Sequence, residues 1–406
     1  MYDIIIFVVF LILSFSCTFC GCFRLGTCFP LLCSNQCLLN MCIQGKEAPV
    51  VKDGYVASED RAESDPAQKS QTEQPKRDTL VDVFKNPAAM AARLVCSVLV
   101  AYILGMFIIL IIVGTYTYFP GTKDDTCVDI CEKADDYCCT YANPLPDLGI
   151  IEDVTFTSDG EKMHGWWIPA NPDVQYRGSL LYNHGSAYNV AIMYRQHRYA
   201  YLTQELGVDV FVYDYPGYGK SEGTSSEDGL IQSGKDAFKW LMEKTGKPSS
   251  DLLVLGRSIG GQMAIDLAKE YSDNKQGLKG LILQSTFKSM KETAASFFPM
   301  YEWLVMSSFA VDMGPSKDKM PDVTSCVHHF HSKADEWVPF SHGEDLHAMA
   351  KSPTSCKVWI ADEDMKHDDA MSDEEKASLI EWLQKIDDAA DVRRQLRLPF
   401  ARKAAD

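Results

Sequence analysis

The chain is short of positive charge. Its 39 Lys and Arg residues stand against 56 Asp and Glu residues, a formal net charge of −17 over 406 residues. No Lys/Arg-rich block interleaved with aromatic residues occurs between residues 148 and 388. Because nucleic-acid binding depends on clustered positive charge, the composition argues against nucleic acid as a partner.

Formal charge is absent altogether from residues 94–121. This run is long enough to cross a bilayer and ends in aromatic residues that suit a membrane interface. We therefore predict a transmembrane helix over 92–119. The apolar segment from Ile4 to Phe15 has no basic residue before it, so retention is favoured over cleavage; a signal peptide, a second span and an in-plane anchor all remain open.

Cysteine is scarce in the C-terminal half, where only Cys326 and Cys356 occur. Seven of the 14 cysteines lie between Cys17 and Cys42. That cluster contains no histidine and no second regular Cys pair, which argues against zinc and favours S-acylation beside the membrane. We expect no metal and no cofactor.

Composition divides the chain into six segments. Residues 45–88 are polar and too poor in apolar side chains to fold, and the Arg-containing C-terminus is also expected to be mobile. The predicted segments are an apolar, Cys-rich membrane-associated region (1–44), a disordered linker (45–88), the transmembrane helix (92–119), a Cys-containing juxtamembrane segment (120–147), an α/β domain (148–388) and a flexible tail (389–406).

The α/β domain is predicted from short apolar runs that alternate with helix-like stretches. The first two runs form a hairpin around Asp159-Gly160, and the later ones are apolar throughout, as buried parallel strands are. The eight predicted strands contain residues 154–157, 163–169, 180–182, 210–213, 252–255, 281–283, 327–330 and 358–360.

The sequence Gly256-Arg257-Ser258-Ile259-Gly260 lies between an apolar strand and an amphipathic helix. A serine at such a sharp strand-to-helix turn is exposed for attack, and the small residues two positions away on each side relieve crowding. Ser258 is therefore the predicted nucleophile.

A serine hydroxyl needs a base to remove its proton and an acid to orient that base. Asp335 follows the run 327–330, where a strand's carboxyl end places ligand-binding groups, and Glu336 is the alternative acid. His367 is the histidine between the last strand and the final helix. The predicted oxyanion donors are the backbone amides of Ile259, directly after the nucleophile, and Ser186, in the loop after an early strand.

Together these motifs resemble the α/β-hydrolase superfamily, and within it the α/β-hydrolase domain-containing proteins 17, 13 and 12 and the serine aminopeptidase-like hydrolases. The resemblance also rests on Asn183-His184-Gly185-Ser186, on residues 213–223, on Gln284-Ser285-Thr286-Phe287 and on His367-Asp368-Asp369. It implies an α/β-hydrolase fold: a mostly parallel eight-stranded sheet with helices on both faces, here behind a membrane-anchoring N-terminal region.

The resemblance implies hydrolysis of acyl esters or thioesters through an acyl-enzyme. The domain 17 group is similar in its N-terminal cysteine cluster and implies a palmitoyl-protein thioesterase. Lysophospholipase or monoacylglycerol lipase activity is the alternative, and an inactive membrane scaffold is the alternative of another class. The expected partners are the membrane and an acylated protein or lipid substrate.

The expected location is the plasma, endosomal or endoplasmic reticulum membrane, with one span or two. Basic residues before the predicted span favour a lumenal or extracellular hydrolase domain by the positive-inside rule. The chain has no N-x-S/T glycosylation motif, which leaves a cytosolic domain open.

Overall fold

The structure is a computed structural model with two compact units, Met1–Gly105 and Met106–Asp406. It describes residues 91, 94–105, 108, 141, 144–186, 188–297, 299, 302–307 and 314–401. The predicted segments 1–44 and 45–88, and most of 120–147, lie outside the described residues.

Residues 94–105, in the first unit, are helical and expose apolar side chains such as Leu94 and Val98. The predicted span 92–119 is described only at 94–105 and 108. Within the described part of the chain, no helix has both the length and the apolar character needed to cross a bilayer.

The second unit is built on an eight-stranded sheet, as predicted. Its order is β1-β2-β4-β3-β5-β6-β7-β8, antiparallel where β2 meets β1 and β4 and parallel at every other pairing. The strands are β1 (Glu152–Ser158), β2 (Glu161–Ile168), β3 (Gly178–Asn183), β4 (Val208–Tyr213), β5 (Leu252–Arg257), β6 (Gly280–Gln284), β7 (Val327–Ser332) and β8 (Lys357–Asp362).

Helices cover both faces of the sheet. The described helices of this unit are α1 (Met193–Ala200), α2 (Glu227–Thr245), α3 (Gly260–Asp273), α4 (Met290–Phe297), α5 (Glu302–Ser307), α6 (Ser316–Lys319), α7 (Phe340–Met349) and α8 (Asp373–Ala401). Phe211 and Tyr213 of β4 pack in one apolar core with α2 and α3, whereas Val210 and Val212 pack in a second core with α1 and α8. Because successive strand residues face opposite sides, both faces are buried and the central strands are apolar throughout.

Helix α8 continues to Ala401. Residues 389–401, which belong to the predicted flexible tail (389–406), are therefore helical, and the flexibility of this segment stays a prediction. Ala389 and Ala390, with the Gln, Leu and Arg residues after them, are strong helix formers.

A disulfide joins Cys326 and Cys356, whose Cα atoms are 5.1 Å apart. Cys326 directly precedes β7 and Cys356 directly precedes β8. These parallel strands are neighbours in the sheet, so the bond ties together their amino ends. The pairing was not predicted, since 30 residues separate the two cysteines.

Candidate active site

Ser258 lies at the turn between β5 and α3, with a φ of 53°. A positive φ is uncommon for serine and must be held by its surroundings. The amide of Ser258 donates to the carbonyl of Gln284 (2.9 Å), and its carbonyl accepts from the Thr286 hydroxyl (2.8 Å). The end of β6 and the residues after it thus hold the strained turn in place.

Two glycines of the turn are required by close packing. A Cβ on Gly256 would lie 2.6 Å from the Cβ of Ala264 in α3, and a Cβ on Gly260 would overlap the backbone of Asn183 at the end of β3. Any larger residue would push α3 away from the sheet. This packing explains the glycine spacing around Ser258.

The structure brings Asp335 and His367 together. Nδ1 of His367 lies 2.8 Å from Oδ2 and 3.0 Å from Oδ1 of Asp335. Asp335 follows β7 and His367 follows β8, so both stand at the carboxyl edge of the sheet, as does Ser258 after β5. An acid at Nδ1 leaves Nε2 of the ring for a serine hydroxyl. The catalytic roles of the three residues stay predictions.

The carboxylate of Asp335 is completely buried. Its Oδ1 accepts the backbone amides of Trp337 (2.9 Å) and Val338 (2.8 Å). Burial by itself raises the pKa of this carboxyl, but the hydrogen bond and charge of His367 and the Val338 amide outweigh burial and lower the pKa. Asp335 is therefore ionised at neutral pH, as an acid that orients an imidazole must be.

The other carboxylate considered for this role, Glu336, does not orient the ring. Its Oε2 accepts the backbone amide of His367 at 3.1 Å. On the other side, the guanidinium of Arg257 donates to the carbonyl of His367 and lies 3.2 Å from Oδ1 of Asp368. Sequence reasoning missed the role of Arg257, although a buried arginine ending an otherwise apolar strand was a visible signal.

Two further buried arginines, both on α1, contact the loops around the site. Arg195 donates to the carbonyls of Gly185 (2.8 Å) and Ser186 (3.0 Å). Arg198 donates to the carbonyl of Asp369, beyond His367. The loop after β3 and the loop carrying His367 are thus both held by α1, a connection that the sequence did not indicate.

Ser186 lies in the loop after β3, and Ile259 lies at the start of α3. Gly185, just before Ser186, is close to Ser258: a Cβ on Gly185 would lie 3.6 Å from the Cβ of Ser258. Both predicted amide donors therefore lie beside the turn at Ser258. Their role in binding an oxyanion also stays a prediction.

Two other histidines near the candidate site have structural contacts. His184 stacks on Tyr215, with ring centroids 4.0 Å apart, and burial beside Arg195 lowers its pKa to about 3. Nε2 of His331 lies 3.1 Å from the carbonyl of Val338, and burial lowers the pKa of this histidine too. Both rings are therefore neutral at physiological pH. The ring of His331 lies beneath the loop that carries Asp335.

Exposed apolar side chains lie beside the Asp335 loop. The rings of Phe297 and Trp337 are 6.3 Å apart, and Trp337 is two residues beyond Asp335. Helices α4 and α5 pack through Ala294, Ala295 and Val305 and leave Trp303 75% exposed.

Among the residues that the structure describes, no group of His, Cys, Asp or Glu could hold a metal ion.

Comparison with known proteins extends this description. The model of the family described as serine aminopeptidase, S33, matches residues 175–399. The uncharacterized protein YfhR of Escherichia coli K12 is 31% identical over 232 residues, 56% of this chain and 77% of that protein. Human alpha/beta hydrolase domain-containing protein 17B is 29% identical over 207 residues, 51% of this chain and 66% of that protein.

The esterase Pf2001 of Pyrococcus furiosus is similar in structure, with a TM-score of 0.48 and 20% identity over 62% of this chain and 97% of that one. The family match spans more than half of the sequence, including the turn at Ser258 and the loops of Asp335 and His367. The chain is therefore a member of the α/β-hydrolase superfamily and belongs to its serine aminopeptidase, S33, family.

Proposed function

We propose that this protein is a membrane-anchored serine hydrolase that cleaves acyl thioesters or esters through Ser258, His367 and Asp335. The observation that carries the proposal is the pairing of a buried, ionised Asp335 with Nδ1 of His367 at the sheet edge that also holds the strained Ser258 turn. His367 would remove the proton of Ser258 during attack and return it to the leaving group. Ser258 would form the acyl-enzyme that water then hydrolyses.

We propose that two peptide groups stabilise the oxyanion. In a trans peptide the carbonyl and the next amide point in opposite directions. The Gly185 carbonyl is bound by Arg195 and the Ser258 carbonyl by Thr286. The amides of Ser186 and Ile259 are therefore directed away from those two groups, which supports their role as donors to the developing negative charge.

An apolar acyl chain suits the surroundings of this site. Phe297 and Trp337 expose aromatic surface near the Asp335 loop, and exposed apolar patches of this kind favour apolar ligands or membranes. With the N-terminal cysteine cluster and the uncharged run 94–121, they support a substrate at a membrane surface. We propose a palmitoylated protein as that substrate.

The disulfide between Cys326 and Cys356 supports a location of the second unit, which carries the candidate active site, in an oxidising compartment. Disulfides are rare where thiols are kept reduced. It agrees with the lumenal or extracellular side favoured by the basic residues before the predicted span. Protease protection in sealed membranes tests this orientation: digestion of the hydrolase unit from the cytosolic side would contradict it.

Labelling by a fluorophosphonate probe tests the reaction type. We expect the parent protein to be labelled and Ser258→Ala to lose labelling, because only an activated serine attacks the phosphorus. Ser341→Ala, at an exposed position on α7, is the matched control and should label like the parent. Labelling that survives in Ser258→Ala, or a parent that never labels, would contradict the proposal and favour a scaffold without activity.

Paired substrates separate the acyl classes. The parent and Ser258→Ala are compared for fatty-acid release from an S-palmitoylated peptide, a lysophospholipid and a monoacylglycerol. Faster Ser258-dependent release from the peptide supports the thioesterase. Faster release from either lipid would replace it by a lipase or lysophospholipase.

A further inference from the structure

We propose that Arg257 and Glu336 are positioning residues that hold the main chain of His367 from its two sides. Each is the sequence neighbour of another member of the triad, Arg257 of Ser258 and Glu336 of Asp335. The inference rests on the proposed function, because positioning matters only if His367 is the base.

Arg257 binds the backbone on the carboxyl side of His367. It is the last residue of β5 and only 3% exposed. Its Nη2 donates to the carbonyl oxygen of His367 and forms a 3.2 Å ion pair with Asp368. The planar guanidinium holds several donors in fixed directions, so the strand that carries the nucleophile also fixes the peptide group that follows the base.

Glu336 binds the backbone on the amino side of His367. Its carboxylate accepts the amide of His367 at 3.1 Å, while the preceding residue, Asp335, binds the imidazole ring. The loop after β7 therefore contacts the base twice, once at its backbone and once at its ring.

The combined contacts leave little freedom for the base. With the peptide groups before and after His367 both bound, its Cα position is set, and the bond to Asp335 then restricts the rotation of the side chain. An imidazole must lie within hydrogen-bond reach of the serine hydroxyl to act as base, and a displacement of about 1 Å can cost about 100-fold in rate. Because Arg257 and Glu336 do not contact the ring of His367, we assign them positioning and not catalysis.

The test compares substitutions that keep or remove each hydrogen bond in the full-length protein. Hydrolysis of a short-chain nitrophenyl ester gives kcat and KM separately. We expect Arg257→Met to lower kcat by about 100-fold and Arg257→Lys, which keeps one donor, to recover part of that loss. Glu336→Ala should lower kcat by about 3- to 10-fold, whereas Glu336→Gln, whose amide oxygen still accepts from His367, should stay within about 2-fold of the parent. KM should change little in all four.

Asp364→Asn is the matched control, because it neutralises an exposed carboxylate on the loop that carries His367. It should resemble the parent. Equal kcat values for Glu336→Ala and Glu336→Gln would overturn the inference. So would variants that change KM alone, or an Arg257→Met variant that is as active as the parent.

Two measurements keep the outcome interpretable. Circular dichroism and thermal unfolding show whether Arg257→Met is folded; if it is not, the Glu336 pair decides the question, since Glu336 is exposed and its replacement should not unfold the protein. The parent and Ser258→Ala are assayed alongside. An inactive parent contradicts the proposed function, whereas an active parent with unchanged Arg257 and Glu336 variants contradicts only the positioning roles.

Discussion

Asp335 is bound by three groups at once: the ring of His367 and the amides of Trp337 and Val338. Burial by itself raises the pKa of this carboxyl, but the hydrogen bond and charge of His367 and the Val338 amide outweigh burial and lower it. The residue that orients the imidazole therefore keeps its charge through the physiological pH range. The alternative acid, Glu336, is exposed and bonded to backbone.

Replacement of Asp335 tests its role directly. We expect Asp335→Asn to lower kcat by about 10³- to 10⁴-fold, because an amide can present its NH₂ to Nδ1 and favour the wrong imidazole tautomer. Asp364→Asn, which neutralises an exposed carboxylate three residues before His367, is the control and should keep the parent's rate. A similar kcat in the two variants, measured with the same nitrophenyl ester, would exclude Asp335 as the triad acid.

At the scale of the elements, the functional groups come from the carboxyl ends of parallel strands and the loops that follow. Ser258 follows β5, Asp335 follows β7 and His367 follows β8. Parallel strands bring such ends to one edge, which is why ligands gather there. The disulfide joins the opposite ends of β7 and β8, away from the reactive loops.

The disulfide should stabilise this pair of strands. Cross-linking residues that close a loop of this length, with a separation of 30 residues, is worth roughly 3–4 kcal/mol by restriction of the unfolded chain. We expect Cys326→Ala/Cys356→Ala to lower the thermal unfolding temperature and to make it insensitive to reductant. Labelling by the fluorophosphonate probe at low temperature should persist. An unfolding temperature equal to that of the oxidised parent would show that the bond adds no stability.

At the scale of the whole second unit, a charge network centred on the buried side chains of His164 and Asp214 connects Tyr141 to the sheet. His164 of β2 lies 2.7 Å from Asp214 through Nδ1 and also contacts Asp153 through Nε2. The hydroxyl of Tyr141 donates to Asp214 at 2.7 Å, and Lys220 lies over the Tyr141 ring. Asp214 also accepts the amide of Val190, beyond the loop that carries Ser186.

This network predicts how stability depends on pH. Burial lowers the pKa of His164, but Asp214 and Asp153 outweigh burial and raise it above 6.5. Burial raises the pKa of Asp214, but His164 and Tyr141 outweigh it and lower the pKa below 3.8. The His164 contribution is complete below pH 6.5 and is lost as the pH rises through its folded pKa. The Asp214 contribution is present above pH 3.8 and is lost as the pH falls.

The free energy of unfolding, measured by urea denaturation from pH 4 to pH 9, should therefore be higher in the parent than in His164→Gln by about 2 kcal/mol at pH 5. The difference should shrink towards pH 9. A difference that is constant over this range would show that His164 is not charged in the folded protein.

Much of this architecture was predictable because its signals are local. The apolar runs predict the eight strands, and glycines spaced around Ser258 predict the turn. The positions of Asp335 and His367 after the last two strands follow from chain order within the fold. The length of the final helix was not recognised, because exposed helices and mobile tails are both polar.

The sequence by itself determined the elements and the triad candidates, since strand periodicity, turn chemistry and motif spacing are written in neighbouring residues. Only the tertiary structure decided the strand order, the disulfide and the contacts that surround the base. Arg257 and His367 are 110 residues apart, and His164 and Asp214 are 50 apart. Arg257 and His367 meet because parallel crossovers return distant strands to one edge, and His164 meets Asp214 because β2 pairs with β4. Neither geometry has a local period, and therefore neither has a sequence signature.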